Sequence, residues 1–164
     1  MTESGSNHMG EVFTPAPGIT RAQVVAAARR WIGTPYQHQQ RLRGIAVDCI
    51  GLPMGVAREL GLISPGYDVQ GYARTPDGHT LMHLAATHMR RRGIDTPLAP
   101  GMVIVCAVDL EPSHFGILAD YAHGGLSLIH ANARAHPPRV IETRLLFSRG
   151  LRFVASFDLP GVSA

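Results

Sequence analysis

Between residues 19 and 33 the apolar positions recur at helical spacing. In ITRAQVVAAARRWIG, Val24, Ala28, Trp31 and Ile32 fall on one face. Thr20 and Gln23 have the spacing of a capping box, Ile19 can staple onto Val24, and Gly33 is placed to stop the helix. A loop, TPYQHQQRLRGIAVD, leads to CIGLPMGVARELGLI, which reads as a second helix ending near Gly61. Proline has no N–H to give the carbonyl four residues back, so Pro53 belongs in a first turn and helps to set the helix start. Cys49 then lies at or just before the helix N-terminus. TPDGHTLMHLAATHMRRRG predicts a third helix, with Asp77 or Thr75 as its cap and Leu81, Leu84 and Ala85 on its apolar side. Gly93 would stop it, leaving Arg90, Arg91 and Arg92 in a last turn where cations suit the helix dipole.

From PGMVIVCAV onward the period changes. SHFGILADY, LSLIHAN, RVIETRL and LRFVASFDL are short runs rich in branched residues, divided by Gly, Pro and His, and each predicts a strand. Helices first and an antiparallel sheet second make an α+β fold. Residues 1–18, polar and aperiodic, read as a flexible N-terminal lead, and 19–164 as a single domain; there is no internal repeat.

Composition narrows the partners. No stretch approaches the ~18 uninterrupted apolar residues of a spanning helix. The first ten residues, MTESGSNHMG, lack the basic start and apolar stretch of a signal peptide, so the expected place of synthesis and residence is the cytoplasm. The formal charge of +3 and pI near 9.3 mildly favour anionic partners, but no long basic run points to nucleic acid. Two cysteines with no C-x-x-C spacing do not make a disulfide framework.

The candidate chemistry centres on AVDCIGLP. A helix N-terminus favours the thiolate and supplies N–H groups that can hold an oxyanion, so the place of Cys49 suits a nucleophile. Burial is the common fate of a free cysteine, so position alone leaves both readings open. A nucleophilic cysteine needs a base, itself oriented by a third polar group. Of nine histidines, His114 in PSHFGIL and His130 in LSLIHAN lie in strand runs. Their even separation puts them opposite one another on one face if the runs pair in a hairpin centred near Ala122. One ring could be the base and the other its orienter; the alternative is two partly buried histidines satisfied by backbone groups.

With their neighbours, these positions resemble the NlpC-type family of bacterial and phage cell-wall cysteine peptidases, a compact papain-like group. WIGTPYQHQ resembles its G-T-P-Y segment, VDCIGL its D-C-x-G-[LF] nucleophile motif, LAPGMVIV its P-G-D strand, SHFGIL its H-[VFA]-G-[IV] strand and LIHAN its [IV]-H-A strand. The similarity runs from about residue 20 to 160. GTPYQHQQRLRGIAVDCIGL and RVIETRL…RFVASFDLP resemble the phage and gene-transfer-agent branch, whose enzymes are delivered with a tail.

The resemblance implies a thiol peptidase that needs no cofactor and cuts peptidoglycan stem peptides, usually between D-glutamate and a diamino acid, with phage-tail proteins as partners. It implies Cys49 as nucleophile, His114 as general base and His130 as orienting residue. Tyr36 would assist in the oxyanion hole or a substrate subsite, and Asp48 would cap or position the helix start. Ile50 replaces a small residue and would narrow the pocket while its N–H stays available; Met102 stands where the family usually has Asp. The rival readings are an inactive tail-tip or assembly module of the same fold, and a papain-like acyltransferase or amidase on another substrate.

Other features carry less. Cys106 in MVIVCAV reads as core. His79 and His83 have the four-residue spacing of helical metal ligands but no third ligand to match, so no metal site is expected. His38 can line the cleft or sit in solvent. Asn132, two after His130, is a weaker candidate for the orienting role; His123 and His136 fall in turns.

Overall fold

The computed structural model describes residues 17–74, 77–109 and 111–163, without the side chain of Glu111. The reading of residues 1–18 as a lead therefore lies almost wholly outside the described residues, as does Thr75, the alternative helix cap. The elements in chain order are β1 (Ile19–Thr20), α1 (Arg21–Arg29), β2 (Arg41–Leu42), β3 (Ala46–Val47), α2 (Gly51–Glu59), α3 (Gly78–His88), β4 (Arg90–Arg91), β5 (Val103–Val108), β6 (Glu111–Asp120), β7 (Leu126–Asn132), β8 (Arg139–Arg144), β9 (Leu151–Asp158) and β10 (Val162–Ser163). Strands β4 to β9 form one antiparallel sheet in the order β4-β9-β5-β6-β7-β8. The α+β expectation is met. Among the described residues no helix is long and apolar enough to cross a membrane.

The local signals at helix starts operate as expected. Thr20 and Gln23 make the reciprocal capping box at α1, and Asp77 accepts from Thr80 N–H at 2.7 Å to cap α3. The helix ends differ. Helix α1 stops at Arg29, short of Ile32, because the chain turns onto the sheet: Gly33 N–H donates to the Val140 carbonyl at 2.9 Å, and Val140 N–H to the Thr34 carbonyl at 2.9 Å. Trp31 still packs inward, 2% exposed, but Ile32 is left outside at 44%.

Arginines 90 to 92 do not close α3. Met89 is already extended, and Arg90 and Arg91 pair with Asp158 and Phe157 of β9. A tertiary charge decides this. Asp158 is 1% exposed and draws in Arg21 (2.9 Å), Arg90 (2.8 Å) and Arg92 (3.4 Å). A buried carboxylate must be paired, and that outweighs the small benefit of a cation near a helix C-terminus.

Alternation along the strands divides the core. Val103, Val105, Ile117, Ile129 and Phe157 pack with α1, α2 and α3, while Met102, Ile104, Cys106, Leu118 and Leu128 form a second cluster. Cys106 is fully buried, as read from its strand, and Met102 packs in the same cluster. Helix α2 lies close against Trp31, in the turn that follows α1, because Gly55 has no side chain: a Cβ there would lie 2.2 Å from Trp31 Cη2.

Candidate active site

The nucleophile position is built from the bottom of α2. Helical hydrogen bonding begins at Asp48, whose carbonyl accepts from Leu52 N–H at 3.0 Å and whose Oδ1 accepts from Gly51 N–H at 2.7 Å. This is N-cap geometry, and it leaves Cys49 in the first turn. Pro53 has no N–H for the Cys49 carbonyl, so the regular helix starts only at Gly51. Asp48 is 1% exposed, and its Oδ2 also accepts from Gln39 N–H and Tyr72 Oη–H, each at 2.7 Å. The expectation that Asp48 positions the helix start is met, and Asp48 does more: it ties that start to the loop below it and to Tyr72.

His114 and His130 come together. Their Nε2 and Nδ1 atoms lie 2.7 Å apart and the rings meet edge-on at 80°. The pairing register differs by two residues from the expected hairpin. Ile117 pairs with Ile129 and Asp120 with Leu126, centring it on position 123 rather than Ala122. Continued, that register sets Asn132 opposite His114 and His130 diagonal to it, still on the same face. Asn132 instead turns its Oδ1 to Arg134 N–H at 2.8 Å. The far nitrogen of His130, Nε2, is 3.2 Å from Thr143 Oγ1.

Thr143 thus completes a chain His114–His130–Thr143 in which one proton arrangement leaves His114 a free basic nitrogen. With Nε2–H of His114 donating to His130 Nδ1, and Nε2–H of His130 donating to Thr143, His114 Nδ1 is free to accept a proton. The reverse arrangement leaves His114 with a proton on Nδ1 and no base. Nothing in RVIETRL marks Thr143 for this role; only the pairing of β8 with β7 brings it there.

Cys49, His114, His130 and Tyr36 line one cleft of about 350 Å³ with Arg74, Asn132 and Arg134. Tyr36 is held there by a bridge to Val47 and by its N–H on the Pro138 carbonyl at 3.0 Å. Two candidates lie elsewhere. The Ile50 side chain turns away into a small apolar pocket with Pro53, Phe115 and Leu159, so it does not narrow the cleft that Cys49 lines. His38 sits with Nδ1 3.6 Å from Asp48 and edge-on to Tyr72, below the helix start rather than in the cleft. Among the described residues no group of three His, Cys, Asp or Glu side chains is arranged to hold a metal.

The electrostatics correct one expectation. Backbone N–H groups of Phe115, Cys49 and Ile50 favour the Cys49 thiolate, as a helix N-terminus should, but burial and then the Asp48 charge outweigh them and push the thiol up to about 12. Burial, then the neighbouring His130 and Arg134, push His114 down to about 3, and burial takes His130 down to about 4. Burial, with Cys49 and Asp48 following, raises Tyr36 to about 12, so it is a neutral hydroxyl donor. The resting site is a neutral thiol beside neutral imidazoles rather than a preformed ion pair.

The lowered histidines make a stability prediction. The unfolded chain binds protons on both near pH 6.5, while the folded chain resists until about 4 and 3. Stability is therefore intact above pH 6.5 and is lost as pH falls through this window, by at most ~1.4 kcal/mol per pH unit for each ring. Melting temperature measured from pH 7 to 4.5 should fall less steeply in the double variant His114→Gln/His130→Gln than in the wild type. Parallel curves would refute burial of neutral rings.

By sequence the chain matches no family model and no curated protein. By structure it is similar to a crystal structure of an N-acetylmuramoyl-L-alanine amidase from Bacteroides uniformis ATCC 8492, with a TM-score of 0.59 at 11% identity over 85% of this chain and 98% of that one. It is also similar to the NlpC/p60 domain of the peptidoglycan hydrolase SagA, with a TM-score of 0.55 at 18% identity over 86% of this chain and all of that domain. At these identities the likeness is one of fold. The described chain therefore has the α+β papain-like fold of the NlpC/p60 domain, few helices on a large antiparallel sheet, with Cys49, His114 and His130 meeting in one cleft.

Proposed function

We propose that this chain is a cysteine hydrolase that cuts an amide bond of peptidoglycan stem peptides, the bond between D-glutamate and a diamino acid. The observation that carries the proposal is the shared cleft of Cys49, His114 and His130, with the two rings hydrogen-bonded at 2.7 Å. The names of the two structural relatives, an amidase and a hydrolase of the same polymer, support the substrate class.

The chemistry follows from the cleft. As Cys49 Sγ attacks the amide carbonyl, its proton passes to His114 Nδ1, so a high thiol pKa is met by transfer during attack rather than before it. The new oxyanion takes hydrogen bonds from Tyr36 Oη–H and a backbone N–H at the α2 start. His114 then protonates the leaving amine, the C–N bond breaks and a thioester remains. Water, deprotonated by His114, attacks the thioester, releases the carboxylic acid and returns the proton to Cys49. The phage or gene-transfer-agent association belongs to the same proposal and rests on the Gly33–Leu52 loop and the C-terminal strands. So does delivery in a tail to a cell wall after synthesis in the cytoplasm.

The test is digestion of purified muropeptides followed by chromatography and mass spectrometry. Wild-type protein should release fragments ending in D-glutamate and fragments beginning with the diamino acid, and Cys49→Ala should release neither. Products cut instead before L-alanine would move the reading to an amidase. Transfer of the acyl group to an added amine, without hydrolysis, would move it to an acyltransferase.

A further inference from the structure

The cleft holds two arginines that the reaction above does not use. Arg74 lies between α2 and α3, and Arg134 follows β7; both line the wall that holds Cys49 and His114. Arg74 is two residues past Tyr72, whose hydroxyl donates to Asp48 at the foot of α2 at 2.7 Å, and Arg134 is two residues past Asn132, at the end of the strand that carries His130. Arg74 acts electrostatically on Tyr36, and Arg134 on His114. Among the described residues no carboxylate lines the cleft, and none lies within ion-pairing distance of Arg74. Arg134 has Asp109 at 3.5 Å, with the two side chains 76% and 73% exposed, a pair that water largely screens.

Two poorly neutralised guanidinium groups in one concave site repel each other, and Arg134 also raises the cost of charging His114. Neither is tied to the core as Arg21 and Arg29 are by Asp158 and Glu142. A planar guanidinium matches a carboxylate with two parallel hydrogen bonds. We propose that Arg74 and Arg134 each read a free carboxylate of the substrate, Arg74 on the residue that supplies the carbonyl and Arg134 on the residue that supplies the amine. The assignment rests on the hydrolase reading above, in which His114 protonates the leaving amine beside Arg134 and Tyr36 faces the carbonyl oxygen beside Arg74.

The pair suits the linkage already proposed and adds a demand on its carboxylates. In an ordinary α-peptide the carbonyl-side residue has spent its α-carboxyl in the scissile bond, and Arg74 finds nothing. In a γ-linked glutamyl peptide the α-carboxylate remains free next to that bond. If the amine-side residue ends its chain, its carboxylate is free too. Among such γ-linked substrates the site therefore prefers those whose amine-side residue ends the chain, with neither carboxyl amidated.

The experiment uses a γ-D-glutamyl–diamino acid muropeptide in four forms: both carboxylates free, each amidated in turn, and both amidated. In the wild type each amidation should raise KM about tenfold, the scale of one charge-assisted hydrogen bond. In Arg74→Gln the ratio of KM values for the carbonyl-side pair should fall toward one while the amine-side ratio persists. Arg134→Gln should do the reverse, and the Lys variants should keep part of each preference. Equal KM values for all four forms in the wild type, or preferences unchanged in the Gln variants, would overturn the assignment.

Calorimetric binding of the four peptides to Cys49→Ala separates this failure from that of the hydrolase reading. A carboxylate preference in binding without wild-type cleavage sinks the reaction and keeps the arginines. Cleavage without preference does the opposite, and neither binding nor cleavage sinks both.

Discussion

His114→Ala is expected to reduce muropeptide turnover to the level of Cys49→Ala, whereas His130→Ala should lose about 10² to 10³ in kcat. The difference follows from what each ring touches. His114 lines the cleft with its Nε2 engaged by His130, which leaves Nδ1 as the proton carrier in both half-reactions of the proposed mechanism. His130 reaches the chemistry only through the 2.7 Å contact with His114 Nε2, where it selects the arrangement that frees Nδ1. In the Ser-His-Asp template a wrong third group costs about 10⁴ in kcat while the geometry survives. Here three backbone N–H groups also favour the developing thiolate, so dependence on the third group is smaller.

His130→Asn or Gln should recover part of the loss by accepting from His114 Nε2–H. Thr143→Val should cost only severalfold, because water can take the place of its exposed hydroxyl on His130. Asn132→Ala should leave kcat nearly unchanged, since Asn132 Oδ1 serves the Arg134 turn. Chromatographic assay of each variant, with kcat followed against pH, checks the series. If Asn132→Ala proves more damaging than His130→Ala, the orienting residue is misassigned.

Asp48→Ala should be the most destabilising single change at the site, by about 3 to 5 kcal/mol in urea unfolding. The carboxylate receives three donors at 2.7 Å, from Gln39, Gly51 and Tyr72, and its loss leaves all three without that acceptor, those of Gly51 and Tyr72 buried and that of Gln39 half-buried. Asp48→Asn keeps an acceptor oxygen and should lose less. It also removes the charge that opposes the Cys49 thiolate, so Cys49 in Asp48→Asn should react with iodoacetamide faster than in the wild type at a given alkaline pH. Cys106, fully exposed only on unfolding, provides the control. A loss below 1 kcal/mol for the alanine variant, by linear extrapolation, would show that Asp48 does not hold the loop to the helix.

Much of the site was legible in the chain because its determinants are local. Helix starts are written in capping residues three apart, so Thr20 with Gln23 and Asp77 with Thr80 could be read directly, and Cys49 at the foot of α2 with them. Strand alternation put His114 and His130 on one face even though the hairpin centre was displaced by one residue: the shift changed which residues stand opposite, not which face they share. The ends of α1 and α3 were misread for the opposite reason. Val140 and Asp158 decide them, and each lies more than sixty residues from the end it sets.

By itself, then, the sequence determined the order of elements, the α+β class, the foot of the second helix and the pairing of two histidines, all of which follow from periodicity and capping within a few residues. Tertiary structure alone decided the rest. It brought Thr143 to His130, Tyr72 to Asp48, and Arg74 and Arg134 to the rim of the cleft. It also turned Ile50 and His38 away from the cleft and made burial outweigh the helix N-terminus at Cys49. These are matters of solvent exclusion and of charges distant along the chain, and desolvation has no signature in a short run of residues: it exists only once the helices and the sheet have closed over the site.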